Sequence, residues 1–255
     1  MATISLCMIV KNESAVLARC LDSIADLMDE IIIVDTGSTD NTKEIAAQYT
    51  SRIYDFKWTS DFSAARNFSF SKATMEYIYT ADADEILDDA NRERFLRLKD
   101  ALLPEIEIVQ MKYVTQGTFD TVLNAKKEYR PKLFRRLRTF TWIDPIHETV
   151  RLTPVTFDSD VEILHCPQSL HSKRDFSIFI KAFEHDGQFS PKIRTMYAKE
   201  LLKTGDKKDF TDAKPIFQLI FDNDPADDAR KEAACVLARI YRMEDNKNEF
   251  FKLTM

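Results

Sequence analysis

Two aspartates separated by one residue, Asp82 and Asp84, follow a short apolar segment, and Glu85 comes directly after them. Carboxylates at positions i and i+2 can hold one divalent cation together. Mg²⁺ and Mn²⁺ prefer hard oxygen ligands and complete their coordination with substrate phosphates. A solvated acidic turn would have the same composition, so the triplet alone leaves both interpretations open.

A further carboxylate, Asp35, ends the apolar run Ile31–Val34 and is followed by Gly37. At the end of a buried strand, a carboxylate can accept a hydrogen bond from an N–H group of a nucleobase. Glycine lets the backbone turn tightly at such a place. The simpler alternative is a strand–turn–helix connection in which Asp40 caps the helix.

Arg66 stands near the start of a predicted helix that follows Asp61. A guanidinium close to a helix N-terminus can clamp a diphosphate through charge-assisted hydrogen bonds. The alternative is a surface arginine that pairs with Asp61.

The apolar pattern predicts the elements that must position these residues. Short strands alternate with amphipathic helices, and the strands are predicted at Ile4–Val10, Glu30–Val34, Arg52–Phe56 and Tyr77–Thr80. This alternation is typical of a mainly parallel sheet with helices on both faces, which binds ligands at the carboxyl ends of its strands. The polar clusters Lys11–Glu13, Asp35–Asp40 and Asp82–Glu85 fall at those ends, which indicates one site.

Further strands are predicted at Ile106–Tyr113, Leu133–Phe134, Phe140–Trp142 and Val161–Leu164. Basic residues surround the second of them, with Arg130 and Lys132 before it and Arg135–Arg138 after it. We interpret this segment as the solvated face of a hairpin. The alternative is a patch that steers phosphates or another anionic ligand.

From about Arg174 the pattern changes to amphipathic helices, predicted at Asp175–Glu184, Ile193–Thr204, Phe210–Phe221 and Asp228–Met243. Small and large residues alternate there as in a tetratricopeptide-like hairpin, and a plain helical subdomain is the alternative. We therefore expect a first domain at residues 1–170 and a helical segment at residues 171–255.

The composition bears on partners and location. A net charge of −6 is unfavourable for sequence-independent nucleic-acid binding, so we expect no nucleic-acid partner. The four cysteines are widely spaced, as is typical of reduced thiols. Neither a signal peptide nor an apolar run of transmembrane length is visible, so we expect a cytoplasmic protein. A homodimer and peripheral contact with the inner face of the membrane stay open.

Four motifs occur in a fixed order along the chain. They are CMIVKNE within Ile4–Glu13, DTGSTD at Asp35–Asp40, FSAARN at Phe62–Asn67 and DADE at Asp82–Glu85. Together they resemble the amino-terminal half of family 2 glycosyltransferases with the GT-A fold. The IHE segment at residues 146–148 also resembles a bacterial subgroup that often carries tetratricopeptide-like helices. The resemblance covers about residues 4–165 well and the remainder loosely.

The resemblance implies a Rossmann-like α/β domain that uses a nucleotide-diphosphate sugar donor, most often UDP-linked, with Mn²⁺ or Mg²⁺. The acceptor would be a glycan, a lipid-linked molecule or a peptide. By position, the nucleotide-sugar site would contain Val10, Asn12, Glu13, Asp35, Arg66, Asp82, Ala83 and Trp142. Asp84 and His147 would bind the metal, with His165 as an alternative to His147. Many relatives have Asp or Asn where Thr36 stands, so the atom that contacts the base stays open.

The resemblance also implies inversion of the anomeric centre by direct displacement. A general base must then take the proton of the acceptor hydroxyl. Glu148 is the candidate for this base and Asp144 is the reserve. The alternative for His147 and Glu148 is a pair at the end of a strand that stabilises the loop.

Other functions fit the sequence less well. An aspartate-nucleophile phosphatase would carry its acidic motif after the first strand, with Thr or Val where Ile86 stands. A sugar nucleotidyltransferase would need a glycine-rich loop after the first strand, and the segment Lys11–Ser14 has no glycine. The main alternative is a non-catalytic, partner-binding helical-repeat protein with a vestigial nucleotide-sugar fold. Another alternative is that this chain is part of a longer enzyme, whose acceptor site lies outside the chain.

Overall fold

A computed structural model describes residues 1–115, 127–136, 142–143, 145–146, 149–150, 155–166 and 172–254. The candidate residues Asp144, His147 and Glu148 lie outside the described residues. The chain divides into two compact units. One is formed by Met1–Ile143 with Glu148–Ser169, and the other by Asp144–His147 with Leu170–Met255.

The described strands are β1 (Ile4–Val10), β2 (Glu30–Asp35), β3 (Ile53–Asp55), β4 (Tyr77–Thr80), β5 (Glu85–Ile86), β6 (Ile108–Thr115), β7 (Lys127–Arg135), β8 (Trp142–Ile143), β9 (Thr149–Val150) and β10 (Thr156–His165). Eight of them form one sheet in the order β3-β2-β1-β4-β7-β6-β10-β5, and β8 pairs with β9. Pairing is parallel among β1 to β4 and between β6 and β10. It is antiparallel where β7 and β5 meet their neighbours. The predicted fold class, a mainly parallel mixed sheet flanked by helices, is confirmed.

The helices of the first unit are α1 (Leu17–Ile24), α2 (Thr42–Ala46), α3 (Phe62–Phe70) and α4 (Asp89–Ala101), with a 3-10 turn at Ala25–Leu27. Alternate side chains of β1 point to opposite faces of the sheet. Leu6 packs with α1 and α4 through Leu21 and Phe95, whereas Cys7 packs on the other face beside Phe68 of α3. Because both faces are covered, β1 is an almost continuous apolar run.

The helix α1 begins at Leu17, several residues after the end of β1 at Val10. The preceding backbone is bound to another loop, since Glu13 N–H donates to Thr42 Oγ1 and Ser14 N–H donates to Asp40 Oδ2. Asp40 also accepts from the N–H of Thr42, at the start of α2. These side-chain contacts tie the loops after β1 and β2 together.

Asp61 is the N-cap of α3, and its Oδ1 accepts a hydrogen bond from Ala64 N–H at 3.1 Å. Asp61→Ala is expected to lower the free energy of unfolding by about 1 kcal/mol, because the helix loses its cap. Glu44→Ala, at an exposed position of α2, serves as control and is expected to change it by less than about 0.5 kcal/mol. Urea unfolding of both variants measures the difference, and equal effects would contradict the assigned cap.

The second unit is helical, with α5 (Ser172–Asp186), α6 (Pro191–Thr204), α7 (Lys207–Asn223), α8 (Asp227–Met243) and α9 (Lys247–Thr254). Tyr197 lies at its aromatic core, stacked on Phe179 at 4.7 Å between ring centres and 5.3 Å from Phe217. The predicted carboxyl-terminal helices are confirmed, and their tetratricopeptide-like character stays a prediction. Within the described residues, no helix is both long enough and apolar enough to cross a membrane.

All four cysteines are free, and Cys7 and Cys20 are buried. Burial raises the pKa of the Cys7 thiol to about 12, against the smaller opposing effects of a hydrogen bond to Ser69 and the charge of Arg52. The Cys7 thiol is therefore protonated at neutral pH and donates to the Ser69 carbonyl oxygen.

Candidate functional site

The loops after β1 and β2 meet at the carboxyl edge of the sheet. Val10 is in register with Asp35, and Thr36 N–H donates to the Val10 carbonyl oxygen at 2.9 Å. Asn12 has a φ of 55° and connects the two loops. Its N–H donates to Ser38 Oγ at 2.9 Å, and its Oδ1 accepts from Thr39 N–H at 2.7 Å. The backbone at this edge is therefore held from both strands.

Asp35 is buried at this edge, with 2% of its surface exposed. Its Oδ1 accepts hydrogen bonds from the N–H groups of Gly37 and Ser38, both at 2.9 Å. Its Oδ2 is buried and has no hydrogen-bond partner among the described residues. A buried acceptor without a partner is costly, so this oxygen is a candidate binding position. Gly37 has a φ of +104°, a conformation that favours glycine.

Arg66 pairs with Asp82 and not with Asp61, the partner expected for a surface arginine. Its Nη2 lies 3.3 Å from Asp82 Oδ1, and its guanidinium lies 5.1 Å from the centre of the Trp142 ring. Asn67 fixes the Trp142 backbone, accepting from its N–H at 3.0 Å and donating to its carbonyl oxygen at 3.1 Å. Three residues predicted for the nucleotide-sugar site, Arg66, Asp82 and Trp142, are thus neighbours.

Positive charges keep Asp82 ionised. Burial alone would raise the pKa of its carboxyl group, but the charges of Arg66, Lys132 and Arg130 outweigh that effect and hold the pKa well below its usual range. The carboxylate is therefore negatively charged at neutral pH and is available to interact with donors on a ligand.

Asp84 lies against His165, with 3.0 Å between Asp84 Oδ2 and His165 Nε2. The His165 ring packs on Tyr113, with 5.0 Å between ring centres. The backbone joins them as well, since Cys166 N–H donates to the Asp84 carbonyl oxygen at 2.9 Å. Over the described ranges, no group of three or more His, Cys, Asp or Glu residues could hold a metal. Asp84 and His165 therefore supply two candidate ligands, and His147 lies outside those ranges.

The basic segment is not a solvated hairpin face at Lys132, so that prediction is wrong there. Lys132 is 5% exposed, lies in a strand between β4 and β6, and pairs with the buried Glu85. Arg130 packs over the Tyr113 ring, with 3.7 Å between its guanidinium carbon and the ring centre. The pairing of β7 with β6 explains why Lys132 is buried. Val109 pairs with Leu133 and Gln110 with Pro131, which leaves Lys132 as the extra residue of a β-bulge.

The remaining predicted binding residues differ in how they can contribute. The side chains of Val10 and Ala83 belong to the buried core, so they would meet a ligand only through their backbone. Glu13 is partly exposed and contacts the Thr42 hydroxyl through its N–H. The sequence analysis placed Lys132 only in a basic segment and did not predict its pairing with Glu85. Its one local signal was Pro131, because proline within a strand is found at edges and bulges.

Residues 5–153 match the family model described as Glycosyl transferase family 2. The chain belongs to this family. The matched segment therefore contains the site residues from Val10 to Trp142. It also contains the four motifs that resemble the family.

Two curated relatives match parts of this family 2 chain. Over 87 residues, 34% of the chain, it is 48% identical to a TPR repeat-containing protein of Synechococcus elongatus, of which 22% is covered. Over 132 residues, 50% of the chain, it is 33% identical to the SPbeta prophage-derived glycosyltransferase SunS of Bacillus subtilis, of which 31% is covered. The matches therefore span less than a third of the length of either relative.

Among solved structures, the chain is similar to glucosyl-3-phosphoglycerate synthase of Mycobacterium tuberculosis, crystallised with Mn²⁺, UDP-glucose and phosphoglyceric acid. The TM-score is 0.55 at 19% sequence identity, over 74% of this chain and 82% of that chain. At this identity the likeness establishes the fold, which agrees with the GT-A architecture that the motifs implied.

Proposed function

We propose that this family 2 domain transfers a sugar from a UDP-linked donor, with inversion, and binds the donor at the carboxyl edge of β1, β2 and β4. The buried Asp35 Oδ2, which has no partner among the described residues, is the observation that carries the proposal. A uracil ring offers a ring N–H to such an acceptor, and the bond to a charged oxygen is stronger than a neutral one. Asp35 therefore contacts the base.

The remainder of the donor extends from Asp35 toward Asp82 and Asp84 in this proposal. Asp82 is ionised and lies beside Arg66, so its carboxylate accepts hydrogen bonds from hydroxyl groups of the ribose or the sugar. The Arg66 guanidinium holds Asp82 in place and adds positive charge next to the diphosphate. The Arg66 guanidinium also lies over the Trp142 ring, 5.1 Å from its centre.

The residues around Asp84 fit a divalent cation. A carboxylate oxygen and an imidazole nitrogen lie 3.0 Å apart, and His165 Nδ1 is buried without a partner among the described residues. Two protein ligands leave coordination positions for diphosphate oxygens, as is usual for Mg²⁺ and Mn²⁺. When bound, the ion would act as a Lewis acid that stabilises the departing diphosphate. Asp84 and His165 would hold it, with His147 as the alternative ligand drawn from the sequence.

The acceptor side of the proposal comes from the sequence resemblance. Glu148 takes the proton of the acceptor hydroxyl as general base, and Asp144 is the reserve. The acceptor is a glycan, a lipid-linked molecule or a peptide. The relative SunS is named a glycosyltransferase, and the mycobacterial neighbour was crystallised with UDP-glucose. Both are compatible with this donor chemistry, and neither favours one of these acceptors.

Asp35→Asn is expected to weaken UDP binding by about 10- to 100-fold, because a hydrogen bond to a charged group contributes about 1.5–3 kcal/mol. Calorimetric titration with UDP and GDP, with and without Mn²⁺, measures the effect. Asp55→Asn is the matched control, since Asp55 ends the neighbouring strand in register with Asp35 but is exposed.

The wild-type protein is expected to prefer UDP over GDP, and the Asp55 variant is expected to match it. Equal UDP affinity in the Asp35 variant would contradict the placement of the base. A folded wild-type protein that binds no nucleotide would favour the alternative function, a non-catalytic partner-binding protein.

A further inference from the structure

A buried ion pair lies next to the two aspartates of the donor site. Glu85 directly follows Asp84 and is 2% exposed, and Lys132 of β7 is 5% exposed. Lys132 Nζ donates to Glu85 Oε1. The second carboxylate oxygen, Glu85 Oε2, is buried and has no partner among the described residues. No step proposed above uses either side chain.

A contribution to the stability of the fold does not by itself explain why this buried ion pair is present. Two buried charges lose their hydration, and a well-packed apolar pair of similar volume is often as stable or more stable. The unpartnered Glu85 Oε2 adds a further cost. The chain also departs from regular pairing to place Lys132, which is the extra residue of the bulge in β7. Bulges of this kind re-aim side chains beside functional sites.

The pair is connected to the loop that carries both aspartates. The pairing of β4 with β7 reaches Tyr79 opposite Leu133, so Lys132 comes next to the point where the chain leaves β4. Glu85 N–H donates to the Asp82 carbonyl oxygen at 3.1 Å, which closes the loop. Glu85 is also in register with His165 across the β5–β10 pairing. Lys132 therefore holds the loop on one side while β10 holds it on the other.

We propose that the Lys132–Glu85 pair is a positioning device that fixes the backbone of residues 82–85, so that the carboxylates of Asp82 and Asp84 face the donor before it binds. Lys132 and Glu85 act through the aspartates and touch no substrate, so they are positioning residues. The identity of the ligand rests on the proposed function, whereas the ordering of the loop does not.

The double variant Glu85→Met/Lys132→Met tests the proposal. It removes both charges together, so we expect it to fold with a Tm close to that of the wild type. We expect its Mn²⁺-dependent UDP affinity to fall at least about tenfold. We also expect hydrogen exchange at the Glu85 and Cys166 amides to become at least about tenfold faster in the nucleotide-free protein.

Two further variants separate positioning from general stability. Lys132→Arg keeps the positive charge that pairs with Glu85 and is expected to retain more UDP affinity than the double variant. Lys99→Met is the matched control. Lys99 is another buried lysine, and it pairs with Asp29, which lies directly before β2 at the opposite edge of the sheet. This control variant is expected to lower the Tm and to leave UDP affinity unchanged.

A folded double variant with wild-type UDP affinity and wild-type amide exchange would overturn the proposal. If the double variant does not fold, Glu85→Gln/Lys132→Gln, which also removes both charges, gives the same comparison, and unchanged exchange and affinity in it would be equally decisive. If the wild-type protein binds no UDP, the proposed function fails, and the exchange rates still decide the positioning role. Faster exchange then supports that role, and unchanged exchange removes it.

Discussion

Asp84→Ala is expected to abolish sugar transfer and to remove the Mn²⁺-dependent part of UDP binding. Asp84 is one of two candidate metal ligands among the described residues and lies 3.0 Å from the other, His165. A divalent ion at a developing negative charge contributes several kcal/mol to the transition state. Because each 1.4 kcal/mol is tenfold in rate, turnover should fall at least about a thousandfold. UDP release from a panel of UDP-sugars, in parallel with calorimetry, measures both effects.

The matched control for this variant is Asp89→Ala. Asp89 lies in the first turn of α4, is exposed, and is separated from Asp84 by only a few residues. The Asp89→Ala variant should leave turnover and metal dependence unchanged. His165→Ala is expected to weaken the metal dependence without disturbing metal-free UDP binding. Retained turnover in the folded Asp84 variant would contradict the assignment of this carboxylate.

Glu148→Gln is expected to abolish transfer while donor binding stays nearly intact. A general base acts on the acceptor and does not contact the nucleotide, and its loss costs about 10²- to 10⁴-fold in rate. The amide keeps the shape of the side chain and removes its capacity to take a proton. Single-turnover transfer and calorimetric UDP affinity, measured on the same preparation, separate the two effects.

Asp144→Asn is the comparison for this variant, since Asp144 is the reserve candidate for the same proton transfer. If the Asp144 variant loses transfer and the Glu148 variant keeps it, the base is Asp144. Loss of UDP affinity in the Glu148 variant would instead place this side chain in the donor site and contradict its role as base.

The strands at the carboxyl edge that carries the candidate site could be predicted from the sequence because each is a short, nearly continuous apolar run. In a parallel sheet buried on both faces, such a run needs no alternation, and polar residues begin where the strand leaves the sheet. Val10, Asp35 and Thr80 mark those ends in the structure. The convergence of Asn12, Asp35 and Asp82 at one edge therefore followed from the pattern alone.

The longer strand β7 and the role of Lys132 could not be predicted in the same way. Charged residues at Lys127, Glu128 and Arg130 interrupt the apolar pattern, so only Leu133–Phe134 gave a strand signal. The bulge that turns Lys132 toward Glu85 depends on pairing with β6, which is a long-range contact. The sequence shows the residues but not this register.

Side-chain contacts between segments that are distant in the chain could not be predicted from the sequence either. Asp61 is the nearest acidic neighbour of Arg66 in the chain, yet Arg66 pairs with Asp82, whereas Asp61 caps α3. His165 stood as an alternative metal ligand, and the pairing of β10 with β5 brings it to Asp84. The helix α9 was missed as well, since its short segment has charged residues among its aromatic ones.

The claim that a nucleotide diphosphate and a divalent ion bind together at this edge is tested most directly by anomalous diffraction. Crystals of the full chain would be grown with Mn²⁺ and UDP, and data would be collected on both sides of the manganese absorption edge. The predicted result is one manganese peak in contact with Asp84 and His165, with UDP density that runs from the ion to Asp35. Well-ordered UDP at another place, or manganese that contacts neither Asp84 nor His165, would contradict the claim.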